Sequence, residues 1–261
     1  MSHSTWVSKT GLLAQDAKMK AIANNLANVN TDSFKRDDVI FADLFYQTQR
    51  LPGSPVDQNN ISPNGIQFGG GVRVVGTQKK FTIGTQKESP NEMHVAITGQ
   101  GFFQVEMTDG NMAYTRAGNL SKNADGVLTT TEGFPLNPRI ELPEGLERLI
   151  ISENGAVNAM VGGEADPVEL GQLTLVNFVN PAGLLPIGNN LYRETTASGE
   201  AQEGEPGEGA LGKLMQNALE GSNVQVVEEM VEMLAVQQAW EIIAKSITAG
   251  NEMDKYVTHN I

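Results

Sequence analysis

Apolar positions near both ends of the chain fall at helical spacing. From Leu12 they recur at Met19, Ile22, Leu26 and Val29, in steps of seven, three, four and three. Those steps place one stripe on one helix face and predict a helix over residues 4–29. Toward the other end, Met233, Val236, Trp240, Ile243 and Ile247 advance by three and four, with Val227, Val231 and Leu234 on an adjoining strip. This predicts a longer second helix over 223–256. Ser222 or Asn223 stands where an N-cap would accept the first free amides, and Glu228 and Glu229 lie near the positive end of the helix dipole.

The middle of the chain changes period. Asp109-Gly110, Asp125-Gly126, Glu132-Gly133 and Asn154-Gly155 each supply a residue that takes positive φ at low cost. Phe102–Thr108 reads as a strand running into the first of these turns, Asn111–Arg116 as its return, and Val157, Ala159 and Val161 alternate after the last. Short runs between regular turns predict antiparallel β structure. Two stretches read as irregular. Residues 197–210, where Glu200, Glu203, Glu205 and Glu208 interleave with glycine and Pro206, read as an acidic linker. Gln49–Gly71 is longer than the roughly 12–15 residues that structureless loops reach in compact domains, so it is expected to be disordered or ordered by a neighbour.

Composition narrows the function. At 261 residues the chain has room for one large domain or two smaller ones. Its 18 Lys and Arg against 31 Asp and Glu leave a net charge of -13, which repels phosphate backbones and excludes nucleic acid as a partner. The absence of cysteine excludes disulfide scaffolding and thiolate zinc sites. The first twenty residues lack the basic start and apolar run of a signal peptide, and no stretch approaches the ~20 apolar residues of a membrane span.

Asn24, Asn25 and Asn28 work against the first helix, each by roughly 0.6 kcal/mol relative to Ala. Either the stripe packs on the second helix of the same chain with the asparagines at a frayed or capped end, or they satisfy groups of neighbouring subunits and fix register. Terminal helices flanking a β middle bring both chain ends together, and copies stacked by a rotation that does not close form a helical filament.

These residues have a known counterpart. The run Ile22-Ala23-Asn24-Asn25-Leu26-Ala27-Asn28-Val29-Asn30-Thr31 followed by Phe34-Lys35-Arg36 resembles the N-terminal signature of bacterial flagellar rod and hook proteins. The likeness continues through Ile97–Phe103, Tyr114-Thr115-Arg116-Ala117-Gly118 and Ser222-Asn223-Val224 with Glu228-Glu229-Met230. Asn189-Asn190-Leu191-Tyr192, the chain length and the stretch from Tyr46 to Arg73 point to the distal part of the rod. Asp32-Ser33 departs from the pattern, a small residue followed by Gly being common there, as do Trp240, Ile243 and Asn251.

The resemblance implies an α+β fold, with terminal N- and C-helices pairing as a coiled-coil inner domain and a central all-β outer domain. On it, residues 1–36 and 211–261 line a tube, 37–80 connect, and 81–196 form the outer domain. It implies a subunit that polymerises with itself into a hollow drive shaft transmitting torque to the hook and passing export substrates through its lumen. The shaft would contact proximal rod proteins, the hook protein and the P- and L-ring proteins between periplasm and outer membrane. Export would run through the flagellar type III system without a cleaved signal. The expected subunit interface is Leu12, Met19, Ile22, Asn24, Asn25, Leu26, Asn28, Phe34, Val227, Met230, Met233, Val236, Trp240, Ile243 and Ile247. The expected rod-specific segment carries Gln49, Pro52, Pro55, Asn64, Gly65 and Gly69.

Catalysis finds little support. His3, His94 and His259 show no metal-ligand spacing, Gly69-Gly70-Gly71 is not followed by Lys-Ser or Lys-Thr, and Leu214 follows Gly212-Lys213. A carboxylate-pair hydrolase would rest on the number of Asp and Glu alone. The reading is a non-enzyme without catalytic residues, metal or cofactor. A surface adhesin or fibre subunit would call for clustered aromatics, whereas the four tyrosines and two tryptophans are scattered. A proximal rod or hook paralogue would differ at 46–73.

Overall fold

A computed structural model describes residues 3–57, 60–162 and 167–259. The chain divides into a helical unit, residues 1–27, 37–78 and 225–261, and a β unit, residues 28–36 and 79–224.

The helical unit contains α1 (His3–Ala27) and α2 (Val226–His259). The helices run antiparallel: Gly250 lies beside Ser4 and Thr5, Gly11 beside Ile243, and Lys18 pairs with Glu232 at 3.3 Å. Both ends were legible from spacing, with one correction. Asn223 does not cap α2, which begins three residues later. Its side chain instead accepts the Arg36 amide at 2.7 Å and donates to the Lys80 carbonyl, also at 2.7 Å. Asn28 lies beyond the end of α1, so less asparagine opposes the helix than its sequence suggests. Strands Asp37–Asp43 and Val72–Lys79 pair.

Gln49–Gly71 is not a structureless loop. Tyr46–Arg50 pairs antiparallel with Ile66–Gly69, and Pro55–Asp57 with Asn60–Ile61. Gly65 allows the close return, since a Cβ there would stand 2.6 Å from the Arg50 carbonyl oxygen. No hydrophobic alternation marks these strands because all nine residues of the Tyr46–Arg50 and Ile66–Gly69 pair are exposed.

In the β unit a five-stranded sheet runs in the order 136–137, 103–106, 112–115, 191–193, 185–188. A three-stranded sheet joins 146–151, 156–161 and 168–172. The four anticipated turn glycines, Gly110, Gly126, Gly133 and Gly155, all have φ between 76° and 91°. The main core gathers Val95, Ile97, Phe103, Leu128, Leu136, Leu175 and Leu214 with their neighbours. A second cluster packs Phe102, Tyr114, Phe178 and Tyr192 edge to face.

Two expected boundaries move. The acidic stretch 197–210 is part of the β unit, because Gln202–Gly204 pairs with Leu175–Asn177 and Ser198 is fully buried. The segments 28–36 and 211–224 also belong to the β unit, the latter because Lys213–Gln216 pairs with Val95–Thr98 and Ala218–Glu220 with Gln86–Glu88.

Candidate assembly surface

The helical unit has almost no interior of its own. Among the described residues its buried apolar side chains are Ala14, Ile22, Val39 and Val236, whereas the β unit buries twenty-eight. Of the large apolar side chains that stay exposed, twenty belong to the helical unit and six to the β unit. That concentration makes the helical unit the candidate surface for partner chains.

Each expected interface residue has a definite place. Ile22 and Val236 are buried, and Leu12, Met19, Leu26, Met233, Ile243 and Ile247 are partly covered. Met19, Val236 and Trp240 line one open groove with Gln15, Asp16, Gln237 and Glu241. Trp240 is 49% exposed and Val227 74%, so the single chain leaves much of each side chain uncovered. Val227, Met230, Val231 and Leu234 instead form a bare strip along the first turns of α2.

Asn25 is fully buried and ties three elements together. Its amide accepts the Asp37 N–H at 2.8 Å, donates to the Asp37 carbonyl at 3.0 Å, and donates toward the Glu229 carboxylate at 3.3 Å. Asn24 is exposed and donates to the Asp37 carboxylate at 2.9 Å. In the β unit, Asn28 accepts the Thr31 hydroxyl at 3.1 Å, and Phe34 lies under the Lys79 ammonium at 4.6 Å.

The connecting hairpins present more apolar surface. Phe45 is 98% exposed, and Tyr46, Leu51, Ile66 and Phe68 are exposed as well. Gln49, Pro52, Asn64 and Gly69 lie on this surface, while Gly65 is partly covered and Pro55 begins the inner strand pair. The Asn64 carbonyl accepts from Arg50 at 3.2 Å and from the Ser62 hydroxyl at 2.9 Å.

A buried charge network in the β unit escaped the sequence reading. Lys35, Glu220 and Arg116 are 0%, 1% and 2% exposed by side chain. Lys35 Nζ lies 2.6 Å from Glu220 Oε1, and Arg116 Nε 2.8 Å from Glu220 Oε2. Lys35 also donates to the Thr82 carbonyl at 2.7 Å, Arg116 to those of Gly101 and Gly99 at 2.9 and 3.0 Å, and the Gly84 amide to Glu220 at 3.0 Å. The partners are 185 and 104 residues apart, so no local motif marks them.

Three family descriptions match the chain: flagella basal body rod protein over residues 7–35, flagellar hook protein FlgE/F/G D1 domain over 96–159, and flagellar basal body rod FlgEFG protein C-terminal over 215–259. The flagellar basal-body rod protein FlgG of Buchnera aphidicola subsp. Acyrthosiphon pisum is 46% identical over 97% of each chain. That of Agrobacterium fabrum is 42% identical over 98% of each. The chain belongs to the flagellar rod and hook family. Within one organism, Caulobacter vibrioides, the likeness is 38% to FlgG over 94% of each chain and 28% to FlgF over 98% of this chain and 96% of the relative. The family likeness therefore runs toward its FlgG branch.

Ser33, which departs from the family pattern, has φ of 59°, a region that favours glycine. Its hydroxyl offsets the cost by donating to the Arg116 carbonyl at 2.9 Å. Ser33→Ala keeps the backbone cost and loses that bond, so it is expected to destabilise by about 1 kcal/mol. Ser33→Gly relieves the backbone and loses the same bond, for a change within about 0.5 kcal/mol. Denaturant midpoints measure both.

Two titrations follow from the charge network. Burial acts to raise the Glu220 carboxyl, but the Arg116 guanidinium and Lys35 ammonium outweigh it and hold the group below its ordinary 4.5. Its stabilising contribution is full above that value and is lost as pH falls through the lowered one. Burial, then Arg116, lowers Lys35 from 10.5 to about 8, with Glu220 opposing. Between those values the unfolded chain holds the extra proton, so this group's contribution to stability rises with pH across the window. Stability measured from pH 3 to 10.5 is expected to lose its acid component in Glu220→Gln and its alkaline component in Lys35→Met.

Proposed function

We propose that this chain is the structural subunit of the distal rod of the flagellar basal body. It polymerises with itself into a stiff hollow shaft that carries torque to the hook and leaves a lumen for export. The likeness to FlgG relatives along nearly the whole chain carries this reading. The nearly coreless helical unit supports it, because apolar surface left open on one copy becomes covered when neighbouring copies pack on it. Of the fifteen expected interface residues, the open Val227, Met230 and Trp240 and the partly covered Leu12, Met19, Leu26, Met233, Ile243 and Ile247 face neighbouring copies on the proposal, with α1 and α2 of successive copies forming the coiled-coil inner layer. Phe45 and the hairpins between Tyr46 and Gly69 provide the contacts that keep the shaft straight.

The proposed setting spans the periplasm to the outer membrane, with proximal rod, hook and P- and L-ring proteins as partners. Delivery runs through the flagellar type III system. Among the described residues no helix is long and apolar enough to cross a membrane. The role is mechanical, without catalytic residues or a cofactor.

Supplying this chain to a motile relative that lacks its own FlgG is expected to restore hooks and swimming. Stable, exported protein that restores neither would overturn the proposal. Deleting residues 49–70 is expected to leave export intact and to give curved or fragile rods in electron micrographs. Unaltered rods would return the reading to a proximal rod or hook paralogue.

A further inference from the structure

The chain passes between its two units at residues 27/28, 36/37, 78/79 and 224/225. In the β unit, the stretches that carry these passages are Asn28–Arg36, Lys79–Thr85 and the run ending at Val224. Backbone bonds join them in pairs. The Ser33 amide donates to Glu220 at 2.7 Å, Lys80 to Arg36 at 2.9 Å, and Gly221 to Thr85 at 2.7 Å. Side chains join the same three stretches again: the buried Lys35 reaches both Glu220 and Thr82, and the partly covered Asn223 reaches Arg36, Lys80 and Thr82. Gly84 meets Gly221 so closely that a Cβ there would collide with the Gly221 carbonyl.

We infer that Lys35, Glu220, Arg116 and Asn223 form a clasp that locks the three connecting stretches of the β unit in a single register. The inference goes beyond the role of rod subunit and does not depend on it. Its physical basis is that charges removed from water tolerate few arrangements. A stretch that slipped by one residue would strand Lys35 or Glu220 without its partner, whereas slipped backbone bonds could re-form. Arg116 anchors the clasp to the rest of the unit through the Gly99 and Gly101 carbonyls and through Glu220. The Ser33 hydroxyl bond to the Arg116 carbonyl adds a further tie.

Amide hydrogen exchange on the full-length monomer distinguishes a local clasp from a general contribution to the core. In Lys35→Met the amides of Ser33, Lys80, Gly84 and Gly221 are expected to exchange about ten-fold faster or more. Those of Leu128, Thr130, Leu142 and Leu173, which are bonded elsewhere in the β unit, report its global stability and should accelerate by a clearly smaller factor. Glu220→Gln keeps the shape and an acceptor for Gly84 but removes the charge, and should give the same local pattern. Unchanged protection of the four clasp amides in both variants would overturn the inference. So would acceleration by the same factor across the whole β unit, or loss of folding in both variants.

Discussion

Glu220→Ala is expected to cost the β unit about 3–5 kcal/mol, because it leaves two buried cations without the carboxylate they share. The Gly84 amide loses its acceptor in the same change. Hydrogen bonds to the Thr82, Gly99 and Gly101 carbonyls still solvate Lys35 and Arg116 in part, but carbonyl dipoles do not cancel a net charge. Glu106→Ala is the control: its pair with Arg139, at 2.6 Å, lies at the surface, where such pairs contribute at most about 1 kcal/mol. Trp6 and Trp240 both belong to the helical unit, so unfolding of the β unit is best followed through the buried Tyr114 and Tyr192. A loss no larger than the Glu106 control would show that the network is not held as described.

Val227→Asp combined with Leu234→Asp is expected to abolish rod assembly while leaving the monomer's stability within about 0.5 kcal/mol. Both side chains are exposed on the bare strip of α2 and give up little within the chain. In an assembly, each large apolar side chain fully covered contributes roughly 1.5–3 kcal/mol. An aspartate in the same position would have to be desolvated without a partner. Circular dichroism of the monomer and electron microscopy of basal bodies separate the two effects. Normal rods from this double variant would remove the strip from the interface.

The legible parts of the fold are those whose signals are local. Helix spacing placed α1 and α2 to within a few residues, and four turn glycines marked the antiparallel core. The connecting hairpins were hidden because strands without a buried face carry no alternation, and Pro, Asn and Gly suggested irregular chain instead. Gln202–Gly204 was hidden among the surrounding glutamates, which suit a short exposed strand as well as a linker. Asn223 looked like a cap because caps and tight crossings use the same short amide. The buried ions lay beyond sequence reasoning for a different reason. Lys35 beside Arg36 reads as a solvated pair until the fold brings Glu220 to it.

The expected interface residues of the two helices follow a periodic stripe, which the single chain covers unevenly. Ile22, Asn25 and Val236 are buried, while Val227, Met230 and Trp240 are left open. This unevenness is the physical ground for proposing a polymer, since sequence period alone does not distinguish a face covered by its own chain from one covered by a neighbour.

Electron cryotomography of basal bodies in cells lacking this gene reads the distal-rod role at its site of action. Rods are expected to stop at their proximal part, to carry no hook, and to regain full length when the gene is returned. Complete rods bearing hooks in the deleted cells would contradict it.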